Sequence, residues 1–163
     1  MPDAPEATAG TLAALDVLAQ TRRSLVAVCD GLTDDQRLAV PDGLSNHVLW
    51  NLGHVVVTER LLAYGLARRP LGVPDAWVAA FRKGTRPTPG EAAVPYAEVR
   101  DAALALPDQT AADLRAGRLD SADFREYRTT PGVVLASVAD AVRFNLYHEG
   151  LHLGSVLALR KLV

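Results

Sequence analysis

Near its C-terminal end the chain reads Phe144-Asn145-Leu146-Tyr147-His148-Glu149-Gly150-Leu151-His152-Leu153-Gly154, with two histidines four residues apart. On a helix that spacing puts both on one face, one turn apart, within reach of a single metal ion. A third histidine, His54, closes the stretch Trp50-Asn51-Leu52-Gly53-His54. The only other histidine, His47, lies in the same upstream segment. If the two segments pack together, His54, His148 and His152 make a three-imidazole metal site. Three protein ligands leave one coordination position open, the arrangement of a catalytic rather than a structural zinc. Such an ion brings the pKa of bound water to about 7, or binds a thiol as thiolate. The first route gives hydrolysis and the second gives thiol transfer.

His47 has another reading. It stands two turns before His54, about 10 Å along the helix axis. It cannot share an ion with His54 unless the helix start is distorted, and is expected as a surface or pocket-rim residue. Glu149 completes a HExxH string, the signature in which zinc proteases use the glutamate as general base. The protease reading is excluded, because the third histidine lies far upstream and no strand pattern offers a substrate-binding edge. Glu149 lies about 80° around the helix from the midpoint of the histidine pair. It is a candidate catalytic carboxylate or a hydrogen-bond partner of a ligand histidine. A surface glutamate paired with a neighbouring helix is an equal alternative. Trp50 and Tyr147 are read as packing residues.

Helices must position these groups. Residues 1–9 read as a loose tail and residues 10–163 as one helical domain. Leu12, Leu15, Leu18, Ala19, Leu25, Val26 and Cys29 recur at helical spacing, and Gly31 ends that helix. Thr33-Asp34-Asp35-Gln36 is a capping box, and Pro41-Asp42-Gly43 is a turn. A second helix is predicted from a cap at Ser45 or Asn46 to about Ala67, stopping before Pro70. It is apolar on most sides and therefore central. His47, Asn51 and Thr58 fall within about 60° of His54 around it, a polar stripe that needs partners or lines a pocket.

Residues 68–95 form a long connection rich in Pro and Gly, with a short helix from Asp75 to Arg82 carrying Trp77 and Phe81 on one side. The third helical region starts near Pro95, and Pro107 is predicted to kink or divide it. Ser121 to Arg128 reads as a linker, and Thr130-Pro131 is predicted to cap a long last helix. No alternating pattern demands a sheet. The expected fold is an all-α four-helix bundle with a long connection between its second and third main helices. Its helices need not alternate up and down.

The WxLGH motif of Trp50 to His54 and the HExxHLG…LRK run of His148 to Lys161 resemble those of the DinB/YfiT-like family. The likeness covers nearly the whole chain in layout, although its specific part is the two histidine motifs. The resemblance implies metal-ligand roles for His54, His148 and His152. It also implies a divalent transition metal, zinc first and nickel second, and a homodimer. The activity implied is hydrolysis or transfer of a low-molecular-weight thiol to a small-molecule substrate, in stress response or detoxification. The alternative is a non-catalytic bundle that binds a metal or ligand.

Composition narrows the partners. Hydrophobic residues are 49% and charged residues 22% of the chain, an ordinary globular mixture. A net charge of −2 without a basic stripe argues against nucleic-acid binding. Arg22-Arg23, Arg68-Arg69 and Arg160-Lys161 read as solvated helix faces and ends. A single cysteine, Cys29, excludes an intramolecular disulfide and is expected to be buried and inert. The absence of a leader-like N-terminus and of any long apolar run leads to the expectation of a cytoplasmic protein without membrane attachment.

Overall fold

The computed structural model describes residues 4–163. Four long helices make the bundle: α1 (Ala4–Asp30), α3 (Val48–Arg60), α5 (Tyr96–Arg115) and α6 (Val138–Leu159). Two short helices, α2 (Asp34–Leu38) and α4 (Asp75–Phe81), and a two-stranded hairpin, β1 (Tyr127–Arg128) with β2 (Val134–Leu135), fill the connections. The fold is all-α, as the helical periodicity predicts. α1 packs on α5 and α6, and α3 also packs on α5 and α6, so α1 and α3 sit across the bundle from each other.

Two apolar clusters set the helix directions. One joins Leu25, Val26 and Cys29 of α1 to Leu49 and Leu52 of α3, Val99 of α5 and Val156 of α6. The other joins Leu15 and Leu18 to Ala63, Ala111 and Val142. Thus α1 and α6 run one way while α3 and α5 run the other, an up-down-down-up order. The parallel step from α3 to α5 must carry the chain back along the bundle, which is why that connection is long. On this path α4 buries Trp77 and Phe81 against α3.

Several boundaries differ from those predicted. Of the expected tail, residues 1–3 lie outside the described residues, while Ala4 onward already belongs to α1. Pro5 falls in its first turn, where the missing N–H has no helical partner to lose. The cap of α3 is His47, not Ser45 or Asn46: its Nδ1 accepts the Trp50 backbone N–H at 2.8 Å. Beyond Arg60 the chain winds on as a π-helical turn, Leu61–Gly65. Thr130 and Pro131 lie in the hairpin turn, and Ser137 caps α6 by accepting the Asp140 N–H. The capping box at Thr33 and Gln36 is formed as expected. Cys29 is fully buried, and desolvation pushes its thiol up to about 12.

α5 is one helix across Pro107. Proline supplies no N–H, so the carbonyl four residues earlier, that of Ala103, loses its helical donor. The guanidinium of Arg22 reaches it from α1 at 3.5 Å. Arg22, expected on a solvated face, is fully buried at the centre of the bundle; Arg23 alone is exposed. Its Nε donates to both Glu149 carboxylate oxygens, at 2.9 and 3.1 Å, and its Nη2 bonds Glu149 and, at 3.3 Å, Glu59. Glu59 in turn accepts from Thr110 at 2.7 Å. One side chain of α1 therefore bonds to each of the other three main helices. Burial works against its charge, but Glu149 and Glu59 outweigh this and raise its pKa.

Candidate metal centre

His54 comes from the middle of α3, and His148 and His152 from successive turns of α6. The antiparallel packing of these two helices brings the three rings together. One ring nitrogen of each lies within 4.8 Å of the other two. The Nε2 atoms of His54 and His148 are 3.2 Å apart. Two nitrogens bound to one ion at about 2.0–2.1 Å stand a little over 3 Å apart, so this separation suits a shared metal. No fourth His, Cys, Asp or Glu joins the group among the described residues. The three-histidine site expected from the motif spacing is thus geometrically assembled.

The outer contacts select the ligating nitrogen. The backbone carbonyl of Phe81 accepts from His54 Nδ1 at 2.7 Å. A carbonyl can only accept, so Nδ1 carries the proton and Nε2 presents its lone pair. Asn51 does the same for His152: its Nδ2 donates to the His47 carbonyl, and its Oδ1 accepts from His152 Nδ1 at 2.8 Å. The Trp50 indole lies flat against the His54 ring, with centroids 4.6 Å apart, and donates from Nε1 to Thr85. Among the described residues, His148 alone of the three has no hydrogen-bond partner at Nδ1.

Gly53 makes the Phe81 contact possible. A Cβ at this position would meet the Phe81 ring at 2.5 Å, nearer than atoms can approach. Gly53→Ala is expected to destabilise the protein by about 1–3 kcal/mol through overpacking. It also displaces the carbonyl that orients His54. Denaturant unfolding and metal titration of the same preparation check both effects; an unchanged midpoint would refute this packing account.

Electrostatics favour neutral rings. Desolvation lowers all three imidazole pKa values, to about 3 for His148 and about 4 for His152, with the neighbouring rings adding to the effect in those two. Neutral imidazole is the metal-binding form. In the unfolded chain the same rings take up protons below about pH 6.5. The unfolded state therefore binds more protons between about pH 6.5 and the folded values, and stability falls as the pH drops through that window. His148 and His152 are each expected to cost the metal-free protein up to about 2 kcal/mol between pH 7 and pH 5. Urea titrations at the two pH values measure the loss, and replacing His148 with a neutral residue should remove that ring's share of it.

The other sequence candidates lie apart from the cluster. Glu149 is fully buried and turned to Arg22, so its contacts are those of an internal ion pair. His47 is not on the surface: it is buried at 2% exposure, spends Nδ1 on capping α3, and lines a cleft beside Trp50 and Thr85. Trp50 packs as expected, whereas Tyr147 is 52% exposed on the outer face of α6. Three contributors were not singled out in the sequence: Arg22, Glu59 and the Phe81 carbonyl. The first two left a signal, because each is a charge in an otherwise apolar helical stripe. A backbone acceptor leaves none.

Fold and site together define an up-down-down-up helical bundle with a three-histidine centre between its second and fourth main helices. The model of the DinB superfamily matches residues 18–156, and the chain belongs to that superfamily. No curated protein matches it. No helix among the described residues is long and apolar enough to cross a membrane.

Proposed function

We propose that the protein is a metal-dependent enzyme that transfers a low-molecular-weight thiol to a small electrophile. The observation that carries this reading is the convergence of three neutral imidazoles from two helices, with no fourth protein ligand among the described residues. A zinc-type ion bound there supplies a thiol in its deprotonated form at neutral pH. The chain's own part is to present Nε2 of His54 and His152, through the Phe81 carbonyl and Asn51, and to keep the rings uncharged. The commitment of Glu149 to Arg22 removes the one carboxylate that the HExxH string offers as a general base.

Zinc is the first metal of this reading and nickel the second, since imidazole donors suit both. A cleft of about 280 Å³ adjoins Asn51, lined by Leu44, Ser45, Asn46, Ser155, Ala158 and Leu159. Its size suits a small molecule. The exposed Tyr147 and Leu151 on the outer face of α6 support a homodimer, which sedimentation would report as twice the chain mass.

The test is a screen of metal-loaded protein with small thiols and a fluorogenic electrophile. Turnover that needs metal and vanishes in His152→Ala is expected. Metal-loaded protein that is inert with every thiol would instead be a non-catalytic metal-binding bundle.

A further inference from the structure

We propose that the buried Arg22–Glu149 pair, tied to Glu59, is the device that positions His148. The inference deepens the metal-centre reading and rests on it. Two of the three rings are oriented by a hydrogen bond at Nδ1, His54 by Phe81 and His152 by Asn51. The His148 Nδ1 is buried without such a partner, and its ring is flanked by Phe144. Ligand histidines almost always have an acceptor at the second nitrogen, and its loss costs 10–100-fold in metal affinity. Something else must therefore hold this ring.

The adjacent residue is Glu149. Both of its oxygens accept from Arg22, which also bonds Glu59 on α3 and the Ala103 carbonyl on α5. Arginine's planar fork fixes a carboxylate in direction as well as distance. The pair thus locks the rotation of α6 at the residue beside His148. Through Glu59 it ties that turn to α3, five residues beyond His54. Arg22 and Glu149 are positioning residues here, since neither touches the metal position.

The experiment compares wild type with Arg22→Lys, and with a triple variant, Arg22→Met/Glu59→Gln/Glu149→Met, that removes the three charges together. Arg22→Lys keeps the charge and loses the fork, so it remains informative if the triple variant does not fold. Imidazole NMR of the metal-free proteins is read first, and Co2+ affinity second. The expected result is a broadened or averaged His148 signal beside unchanged His54 and His152 signals, with Co2+ affinity lowered 10–100-fold. A folded Arg22→Lys protein with wild-type His148 signals and wild-type Co2+ affinity would overturn the proposal. A wild type that binds no Co2+, but whose variants still lose His148 order, would refute the metal reading and leave the positioning role standing.

Discussion

His152→Ala protein, purified beside wild type, is expected to carry no metal where wild type carries about one ion per chain. The effect is large because the ring contributes one of only three ligand nitrogens. Removing an outer partner costs 10–100-fold in affinity, and removing a ligand itself must exceed that. The substitution also frees Asn51 Oδ1, which then lacks its imidazole donor. His54→Ala and His148→Ala should match it, whereas His47→Asn should not. Asparagine is a good helix cap, and His47 serves α3 only in that role. Elemental analysis of the four proteins decides the matter. Wild-type metal content in any of the three alanine variants would mean that the rings do not share an ion.

Glu149→Ala is expected to be strongly destabilising. It leaves Arg22 buried with Glu59 as its one remaining carboxylate, at 3.3 Å. Breaking a buried ion pair from one side costs about 3–5 kcal/mol, and Glu59, through a single contact, replaces only part of what Glu149 supplies to Arg22. For a domain of this size that corresponds to a fall in Tm of roughly 10 °C. An exposed pair provides the contrast. Arg100 and Asp101 sit at the surface of α5, and Asp101→Ala should change stability by less than about 1 kcal/mol. Thermal melts of the two variants should therefore separate clearly, and coincident melts would show that the central pair contributes little.

Most of the fold and the three clustered histidines were legible in the sequence, for physical reasons. Helical periodicity is local, so α1, α3, α5 and α6 could be recognised from their apolar spacing. The histidines were legible because four such residues in two segments, one pair at a one-turn spacing, is an uncommon pattern. Tertiary pairing was not legible. Arg22 reads as half of a surface Arg-Arg pair until α6 and α3 supply carboxylates to it. Glu149 reads as a candidate base until its rotation on α6 turns it toward α1. The cap of α3 was misplaced because histidine is a rare cap, and Ser45 and Asn46 are stronger local candidates. The continuity of α5 across Pro107 depends on a donor from another helix, and no local pattern reports that.

The distance along the chain between the two ligand-bearing helices bears on how the protein is made. His54 and His148 are 94 residues apart, and α6 leaves the ribosome after α1, α3 and α5. A metal ion cannot staple this chain early, as it does in small zinc modules whose ligands sit in one short loop. The bundle must close around Arg22 before a complete site exists. Capture of an ion by all three histidines would therefore be a late step, since a nascent chain ending short of α6 carries His47 and His54 but neither His148 nor His152.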